Sequence, residues 1–198
     1  ALRRALAAIE AAEIELGRLD AAAGDGDHGA GMARGLRAAD AAVRGTTGPA
    51  RRTFVDGGTA FQDAAGGASG ALVGAFLIAI GDALPPDEAI DTPAVAHAFA
   101  QGLATLQRLG QAVPGDKTMV DTLSPFVATL TEQAAVGKLL PDAWAAALVS
   151  AEAGMRSTAG MVSKRGRASR LGERSRGGQD AGATSMYYLL RAFGEGLT

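Results

Sequence analysis

Apolar residues recur at helical spacing along almost the whole chain, and strand-like alternation is scarce. The first such segment places Leu2, Leu6, Ile9 and Leu16 on one face, which predicts an amphipathic helix. Seven further segments of this kind follow, and no internal repeat or Pro/Ser-rich linker separates them. The pattern therefore predicts an all-α protein, with eight helices in one domain that spans residues 1–198.

Local signals mark where several of these helices begin. Thr92 precedes Pro93, a residue common in the first helical turn, so Thr92 is a predicted N-cap. Thr118 and Asp121 have the spacing of a capping box, and Asp180 directly precedes the last apolar segment. Thr118 and Asp180 are therefore also predicted N-caps.

Four junctions between the predicted helices are rich in glycine and charged residues. They cover residues 19–29, 66–70, 110–119 and 166–185. All four follow odd-numbered predicted helices, and short connections favour antiparallel neighbours, so these junctions fall at the same end of the assembly. We therefore expect one rim to build a site, whereas the other rim only turns the chain.

Charge and cysteine content exclude several classes of function. The chain has 19 basic and 21 acidic residues, a net charge of −2 that is too balanced for binding nucleic acid mainly through bulk charge. It has no cysteine, which excludes a disulfide framework, thiolate metal sites and a Cys nucleophile. Glycines fill the first third of the uncharged stretch 64–81, which predicts a buried core helix rather than a membrane span. With no targeting signal in view, a cytoplasmic location without nucleic-acid or membrane partners is predicted.

Three aspartates in the first of these junctions indicate a cation site. Asp20, Asp25 and Asp27 repel one another unless a cation or a proton neutralises them. The intervening Gly24 and Gly26 allow a tight backbone that turns the oxygens inward. Oxygen-only ligands suit Mg²⁺ or Ca²⁺, but the glutamate that an EF-hand requires is replaced by leucine, and positions left open for phosphate favour Mg²⁺. The alternative is a solvated acidic turn that caps the next helix.

Two glycine motifs resemble phosphate-binding fingerprints without meeting their requirements. Residues 24–29 (GDGDHG) contain aspartates that oppose a bare pyrophosphate, and they follow a helix, so a Rossmann site is excluded. Residues 110–118 resemble a P-loop with an extra aspartate before the lysine and no preceding strand. The glycine-rich helix starts at 66–70 and 115–118 either offer free N–H groups to an anion or are only tight turns.

The last junction is strongly basic between residues 164 and 176, where Glu173 is the only acidic residue. Such a run is usually solvated, and no aromatic side chain lies in it to stack on nucleic-acid bases. An arginine that faces carboxylate-bound Mg²⁺ would instead neutralise a polyphosphate. His28, beside the acidic loop, is interpreted either as a phosphate or metal-water contact or as a structural residue at a helix start. Together these junctions favour binding of a Mg-nucleotide.

The same segments resemble the nucleotide-binding L subunit of dihydroxyacetone kinases, a Dak2-type domain. The matching stretches are residues 19–35, 66–70, 114–126 and 166–185, and they stand in the family's order and spacing. The resemblance as a whole covers essentially the whole chain. The resemblance implies an antiparallel barrel of eight helices with a Mg-nucleotide site at one rim. The histidine in GDGDHG argues against the fatty-acid-kinase branch, whose related motif usually carries threonine.

By position, the resemblance assigns Mg²⁺ ligation to Asp20, Asp25 and Asp27. It assigns nucleotide contacts to His28, Gly29, Ala30, Gly31, Ala68, Ser69, Gly110, Met119, Arg167, Asp180, Ala181 and Gly182. Among these, Arg167 is expected to stabilise phosphate, and no residue of the chain is assigned as a general base. Gly31 stands where the family often has Asn or Thr.

Another departure from the family is Ala181, which replaces a common proline and is expected to loosen that turn. The resemblance implies a subunit that acts only with a separate K subunit, which holds the hydroxyketone through a histidine. Two Mg²⁺ ions would bridge the phosphates. Two donors stay open: ATP exchanging in each turnover, or bound ADP recharged by a phosphotransferase-system protein. The acceptor is dihydroxyacetone or a related ketose such as a tetrulose.

Two other functions fit the same resemblance. One is a regulatory nucleotide-binding module that acts on a partner protein. The other is a fatty-acid-kinase-type Dak2 domain, which shares the fold and the metal chemistry but has a different acceptor. Homodimerisation is also left open by the sequence.

Overall fold

Nine α-helices build the part of the chain that the computed structural model describes, residues 2–45, 47–86 and 90–197. They are α1 (Leu2–Ala11), α2 (Glu13–Ala21), α3 (His28–Val43), α4 (Ala50–Ala65), α5 (Gly67–Ala83), α6 (Thr92–Gly110), α7 (Met119–Ala135), α8 (Leu140–Ser157) and α9 (Ala181–Gly194). Two 3₁₀ segments, Thr158–Gly160 and Arg167–Ser175, lie between α8 and α9, and the described ranges contain no strand. The all-α prediction is confirmed; residues 1 and 198 of the predicted domain lie outside the described residues.

The helices close into a ring, because neighbours in the chain pack together and the last helix returns to the first. Helices α3 to α8 contact one another in chain order, and α9 packs against α1, α7 and α8. Helix α1 also packs against α3, which completes the circuit. The junctions after α2, α4, α6 and α8 meet around one cavity, as the antiparallel barrel predicts.

The first predicted helix is divided into α1 and α2, so the eight predicted helices appear as nine. The division falls at Ala12, whose backbone has φ −100° and ψ 4°, although the Leu16 N–H still donates to the Ala12 carbonyl at 2.9 Å. The start of α3 lies directly against this division, where a Cβ on Gly29 would collide with the Glu13 carbonyl oxygen. Only glycine allows α3 to approach α2 so closely.

The capping signals at Thr118 and Asp180 are confirmed. The Thr118 hydroxyl accepts from the Val120 N–H at 3.1 Å, and the Asp121 carboxylate accepts from the Thr118 N–H at 2.8 Å. The Asp180 carboxylate accepts from the Ala183 N–H at 2.7 Å. A reciprocal pair of bonds therefore fixes the start of α7, and a single side-chain cap fixes the start of α9.

The predicted cap at Thr92 is wrong by one residue. Asp91 caps α6 and accepts from the Ala94 N–H at 2.8 Å. The hydroxyl of Thr92 donates instead to the Lys138 carbonyl at 2.9 Å, which joins α6 to the junction before α8. Aspartate and threonine are both strong N-caps, and the tertiary partner of Thr92 decides between them.

The uncharged stretch 64–81 contributes most of α5 to the interior. Val73, Phe76, Leu77 and Ile80 are buried, and burying each such side chain is worth about 1.5–3 kcal/mol. Among the described helices, none combines the length and apolarity needed to cross a membrane. The stretch is therefore a core helix in this structure.

Aromatic rings tie α5, α6, α7 and α8 together. Phe76 and Phe99 pack edge to face with ring centroids 5.8 Å apart, and Trp144 packs on Phe99 at 5.1 Å and on Phe126 at 4.9 Å. The Trp144 indole N–H donates to the Leu190 carbonyl at 3.0 Å, which joins this cluster to α9. This rigid interior holds the helix ends that surround the cavity.

Candidate metal and nucleotide site

A cavity of about 940 Å³ opens where the four glycine-rich junctions meet. Its volume lies at the upper end of the range of about 300–1,000 Å³ found for small-molecule sites. The predicted nucleotide contacts that line it are His28, Gly31, Ala68, Ser69, Gly110, Met119, Arg167, Asp180, Ala181 and Gly182. The structure thus brings together segments that lie far apart in the sequence.

The other two predicted contacts, Gly29 and Ala30, are not among the lining residues of this cavity. Gly29 is buried against the backbone of Glu13, and Ala30 is exposed. Gly29 therefore has a packing role in the described structure, whereas a nucleotide contact at either position stays a prediction.

Four helices begin at this cavity. Their first residues, His28 of α3, Gly67 of α5, Met119 of α7 and Ala181 of α9, all line it. The first N–H groups of a helix lack partners within the helix, and the helix dipole adds partial positive charge there. Four such ends around one space make it suited to an anion with several oxygens, such as a polyphosphate.

The junction predicted at 66–70 is shorter than expected. Only Gly66 separates α4 from α5, and Gly66 and Gly67 have φ of 73° and 64°. These left-handed values are the region that favours glycine, so the chain reverses within one residue. Ala68 and Ser69 consequently lie in the first turn of α5, with their backbone at the cavity wall.

The three aspartates form one cluster. A carboxylate oxygen from each of Asp20, Asp25 and Asp27 lies within 4.8 Å of the others. The Gly26 N–H donates to Asp20 at 2.8 Å, and Gly26 has φ 80°, so the loop folds back onto the end of α2. A Cβ on Gly24 would lie 2.7 Å from an Asp20 carboxylate oxygen, which a side chain would displace.

This donor set fits a hard divalent cation. Three carboxylate oxygens converge, and no nitrogen or sulfur ligand joins them among the described residues. Asp25 and Asp27 are exposed, and Asp20 and Asp27 line the cavity. Mg²⁺ typically takes a few protein carboxylates and completes its shell with water or phosphate oxygens. The loop therefore has the chemistry of a Mg²⁺ site that shares its ion with a bound phosphate.

Arg167 reaches this cluster from the 3₁₀ segment Arg167–Ser175. Its guanidinium group bonds to the Asp25 carboxylate and lies 3.7 Å from an oxygen of Asp27. The hydrogen bond from Arg167 holds the pKa of Asp25 below its ordinary value. An arginine that already neutralises part of the acidic loop is placed to contact any phosphate bound beside it.

Lys117 fixes the position of the segment that carries Arg167. Its ammonium group is buried and donates to the carbonyls of Thr158, Met161 and Gly178 at 2.8, 3.4 and 2.6 Å. Burial lowers the pKa of Lys117, while the three carbonyls satisfy its donors. The residues on both sides of the arginine-rich segment (residues 164–176) are thus tied to Lys117, just before α7.

Sequence reasoning missed this role of Lys117, because it treated the lysine only as a misplaced P-loop residue. The sequence carries no signal for this role. Lys117 has φ 62°, a value uncommon for a residue other than glycine, but this is visible only in the structure.

Asp116 provides a second tie between α7 and the arginine-rich segment. Its buried carboxylate accepts from the Arg165 guanidinium at 2.8 Å and from the Val113 N–H at 3.1 Å, and lies 3.7 Å from the Lys164 ammonium. The hydrogen bond from Arg165 lowers the pKa of Asp116. Because Arg165 lines the cavity, its pairing with Asp116 neutralises part of the positive charge at the cavity wall.

The DAK2 domain family matches residues 22–195 of the chain, which is most of its length. The chain belongs to the DAK2-domain family. An L-erythrulose 1-kinase from Mycolicibacterium smegmatis is 46% identical to it over 189 residues. That alignment covers 94% of this chain but 33% of the relative, so the chain spans about a third of the length of such kinases.

Two further proteins similar to this DAK2 domain are described by the nucleotide that they bind. The ADP-binding subunit of the PEP-dependent dihydroxyacetone kinase of Escherichia coli is 34% identical over 177 residues, with 87% of this chain and 83% of that subunit covered. The crystal structure of the C. freundii dihydroxyacetone kinase in complex with AMP-PNP and Mg²⁺ aligns with a TM-score of 0.76 and 28% identity. The alignment with this structure covers 98% of the present chain and 32% of the C. freundii chain.

His28 of this DAK2 domain has a buried partner rather than a free ring. Its Nε2 lies 2.9 Å from the Ser185 hydroxyl on α9, and burial lowers the pKa of the imidazole. This contact joins the starts of α3 and α9 and agrees with the structural interpretation of His28. The ring still lines the cavity, so a nucleotide contact stays a prediction.

Part of the cavity lining is apolar. Met32, Leu72, Leu106 and Leu109 line it, and half of Leu109 is exposed. Nothing in the sequence motifs singled out these residues, because their only signal is ordinary helical spacing. A ligand that combines an apolar ring with charged oxygens matches this mixed lining.

Proposed function

We propose that this chain, as one domain over residues 1–198, is the Mg-nucleotide-binding part of a ketose kinase. It would transfer the terminal phosphoryl group of a nucleotide to a hydroxyketone held by a separate K subunit or domain. One observation carries the proposal: the acidic cluster, Arg167 and four helix starts converge on one cavity large enough for a nucleotide.

In this proposal Asp20, Asp25 and Asp27 hold two Mg²⁺ ions together with the phosphate oxygens. Bound Mg²⁺ supplies charge neutralisation as the terminal phosphoryl group leaves. Arg167 then moves its hydrogen bonds from Asp25 to the phosphate, and the helix N–H groups orient the remaining oxygens.

The transfer breaks the bond between the terminal phosphorus and its bridging oxygen and forms a bond to the acceptor hydroxyl. The hydroxyl proton passes to a base on the partner. This division fits the chain, because the described cavity has a single histidine, and that ring is buried against Ser185.

The names of the relatives support one choice of acceptor substrate and one choice of phosphoryl donor for this proposal. Identity is 46% to the L-erythrulose 1-kinase, 42% to an L-erythrulose kinase of Pectobacterium atrosepticum and 34% to the PEP-dependent subunit. This order favours a tetrulose as acceptor. AMP-PNP, the ligand in the related crystal structure, is an ATP analogue, which favours ATP over a phosphotransferase-system protein as donor.

A reconstitution assay tests the proposal. The chain is mixed with a K subunit, Mg-ATP and either erythrulose or dihydroxyacetone, and the phosphorylated ketose is measured. Product is expected only when both proteins and Mg²⁺ are present, and Asp25→Asn should abolish it. Asp142→Asn, an exposed carboxylate on α8 outside the cavity, is the matched control. Tight Mg-ADP binding without turnover with any K subunit would contradict the kinase assignment and favour a regulatory module.

A further inference from the structure

A second, smaller cavity lies beside the acidic loop. Its volume is about 350 Å³, near the lower end of the range for small-molecule sites. The two spaces adjoin, and six residues line both of them: Asp20, Ala23, Lys117, Ala168, Asp180 and Ala181. Arg18, Arg174 and Ser163 line only the smaller cavity. Its contents would therefore lie next to the metal ligands without occupying the nucleotide site.

Two arginines give this smaller cavity unpaired positive charge. Arg18, near the end of α2, and Arg174, in the second 3₁₀ segment, have no acidic partner within the described ranges. Arg176, which also lines the cavity, is bonded to Glu173 at 3.0 Å and to the Gly160 carbonyl. Arg18 and Arg174 are thus the guanidinium groups left to contact a ligand.

A buried hydroxyl in the same cavity also lacks a partner. Ser163 is 4% exposed, and its backbone N–H donates to the Ser175 hydroxyl at 2.9 Å. Its own hydroxyl has no hydrogen-bond partner among the residues that the structure describes. A buried polar group without a partner costs about 1–3 kcal/mol, which a bound acceptor oxygen would recover.

Two carboxylates, those of Asp20 and Asp180, also line the smaller cavity and would repel a bound anion unless they are neutralised. Asp20 accepts the Gly26 N–H and belongs to the cluster of three aspartates, so a cation bound there would neutralise it. The carboxylate of Asp180 is engaged by the Ala183 N–H at the start of α9. Lys117 also lines the space, but its ammonium group is bonded to three backbone carbonyls. Arg18 and Arg174 are therefore the cations of this cavity without a partner among the described residues.

We propose that the smaller cavity is a second subsite, which binds the phosphate group of a small molecule through Arg18, Arg174 and the Ser163 hydroxyl. Guanidinium groups match the oxygens of phosphate in pairs, and the hydroxyl adds a third donor. The volume admits inorganic phosphate or a phosphorylated ketose. Only the choice of a ketose phosphate as ligand rests on the proposed kinase function.

Equilibrium dialysis against inorganic phosphate and against dihydroxyacetone phosphate tests this subsite. The chain is first saturated with Mg-ADP, so that the larger cavity is filled. Saturable binding of either compound is expected, and the tighter one identifies the source of the phosphate group. The double variant Arg18→Ala/Arg174→Ala should weaken binding about tenfold or more, and Ser163→Ala should weaken it by a smaller factor.

Arg170→Ala is the matched control, because Arg170 is exposed like Arg18 and Arg174 and lies in the same segment as Arg174, but lines neither cavity. Its affinity for phosphate should stay within about twofold of the unmodified chain, as expected for a surface charge. An equal loss of phosphate affinity in Arg170→Ala and in the double variant would overturn the subsite. The absence of saturable phosphate binding would also overturn it. Repeating the dialysis of the unmodified chain and the double variant without nucleotide keeps the result separate from the kinase proposal. The double variant is then expected to lose phosphate affinity even if Mg-ADP does not bind.

Discussion

The guanidinium group of Arg167 bonds to the carboxylate of Asp25, although 142 positions separate the two residues in the sequence. The contact joins the arginine-rich segment to the acidic loop. Arg167 therefore occupies carboxylate oxygens that a metal ion would use, while it also lies where a phosphate would bind. Removal of the Arg167 side chain should therefore change the affinity for a free metal ion and the affinity for a Mg-nucleotide in opposite directions.

Arg167→Ala should raise the affinity for a free divalent ion and lower the affinity for Mg-ADP. Without phosphate, the guanidinium competes with the ion for Asp25; with phosphate, it contributes a charged hydrogen bond. Loss of that bond should weaken Mg-ADP binding by about 10- to 100-fold. Calorimetric titrations with Mn²⁺ alone and with Mg-ADP measure both effects, and Arg170→Ala serves as the exposed control. A parallel fall in both affinities would contradict the competition.

Lys117→Met should lower both the stability and the nucleotide affinity of the chain. The change removes the donor shared by Thr158, Met161 and Gly178, and leaving buried carbonyls without partners costs about 1–3 kcal/mol. Urea unfolding measures the free energy. The exposed Lys138→Met is its control and should stay within about 0.5 kcal/mol of the unmodified chain. Equal stability of the two variants would show that Lys117 does not fix the arginine-rich segment.

The buried imidazole of His28 should make the chain less stable in mild acid. Burial holds the pKa of His28 below 6.5, so the unfolded chain binds this proton more readily than the folded chain. The stabilising contribution is complete above pH 6.5 and is lost as the pH falls toward the folded-state pKa. His28→Gln retains a polar partner for Ser185 and should remove this part of the pH dependence. Urea midpoints between pH 7 and 5 check the difference; identical slopes would contradict it.

Ala181→Pro should stabilise the start of α9. Ala181 is the first residue of that helix, where proline's missing N–H costs little and its fixed φ suits the helix. Asp180 before it has φ −73° and ψ 132°, which a residue preceding proline readily adopts. The free energy of unfolding should rise by about 0.4–1 kcal/mol. Thermal unfolding measures it, and a loss of stability would mean that the turn cannot accept the ring.

Local signals in the sequence were enough to predict part of the fold. The caps at Thr118 and Asp180 depend on residues within three positions, so their bonds could be read directly from spacing. Thr92 was misjudged because the neighbouring Asp91 competes for the same role. The hydroxyl of Thr92 instead donates to the backbone carbonyl of Lys138, a residue distant in the sequence. Periodicity likewise gave the helices but not the division at Ala12.

The candidate site was predicted where the junction composition was unusual and missed where it was ordinary. The clustered aspartates and the arginine run drew attention to Asp25 and Arg167, which the structure places in contact. Lys117 and Asp116 were not recognised as ties for the arginine-rich segment, because their partners are backbone carbonyls and side chains more than 40 positions away. The pairing of His28 with Ser185 was hidden for the same reason, since only the closed ring brings α3 and α9 together.

The most direct test of the site measures how Mg²⁺ changes nucleotide affinity in aspartate variants. In the unmodified chain, ADP should bind at least about tenfold more tightly with Mg²⁺ than with EDTA. Asp25→Ala and Asp27→Ala should each remove this Mg²⁺ dependence while the helical circular dichroism signal is retained, and Asp142→Asn should keep it. Unchanged Mg²⁺-dependent binding in both aspartate variants would contradict the assignment of the acidic loop as the metal site.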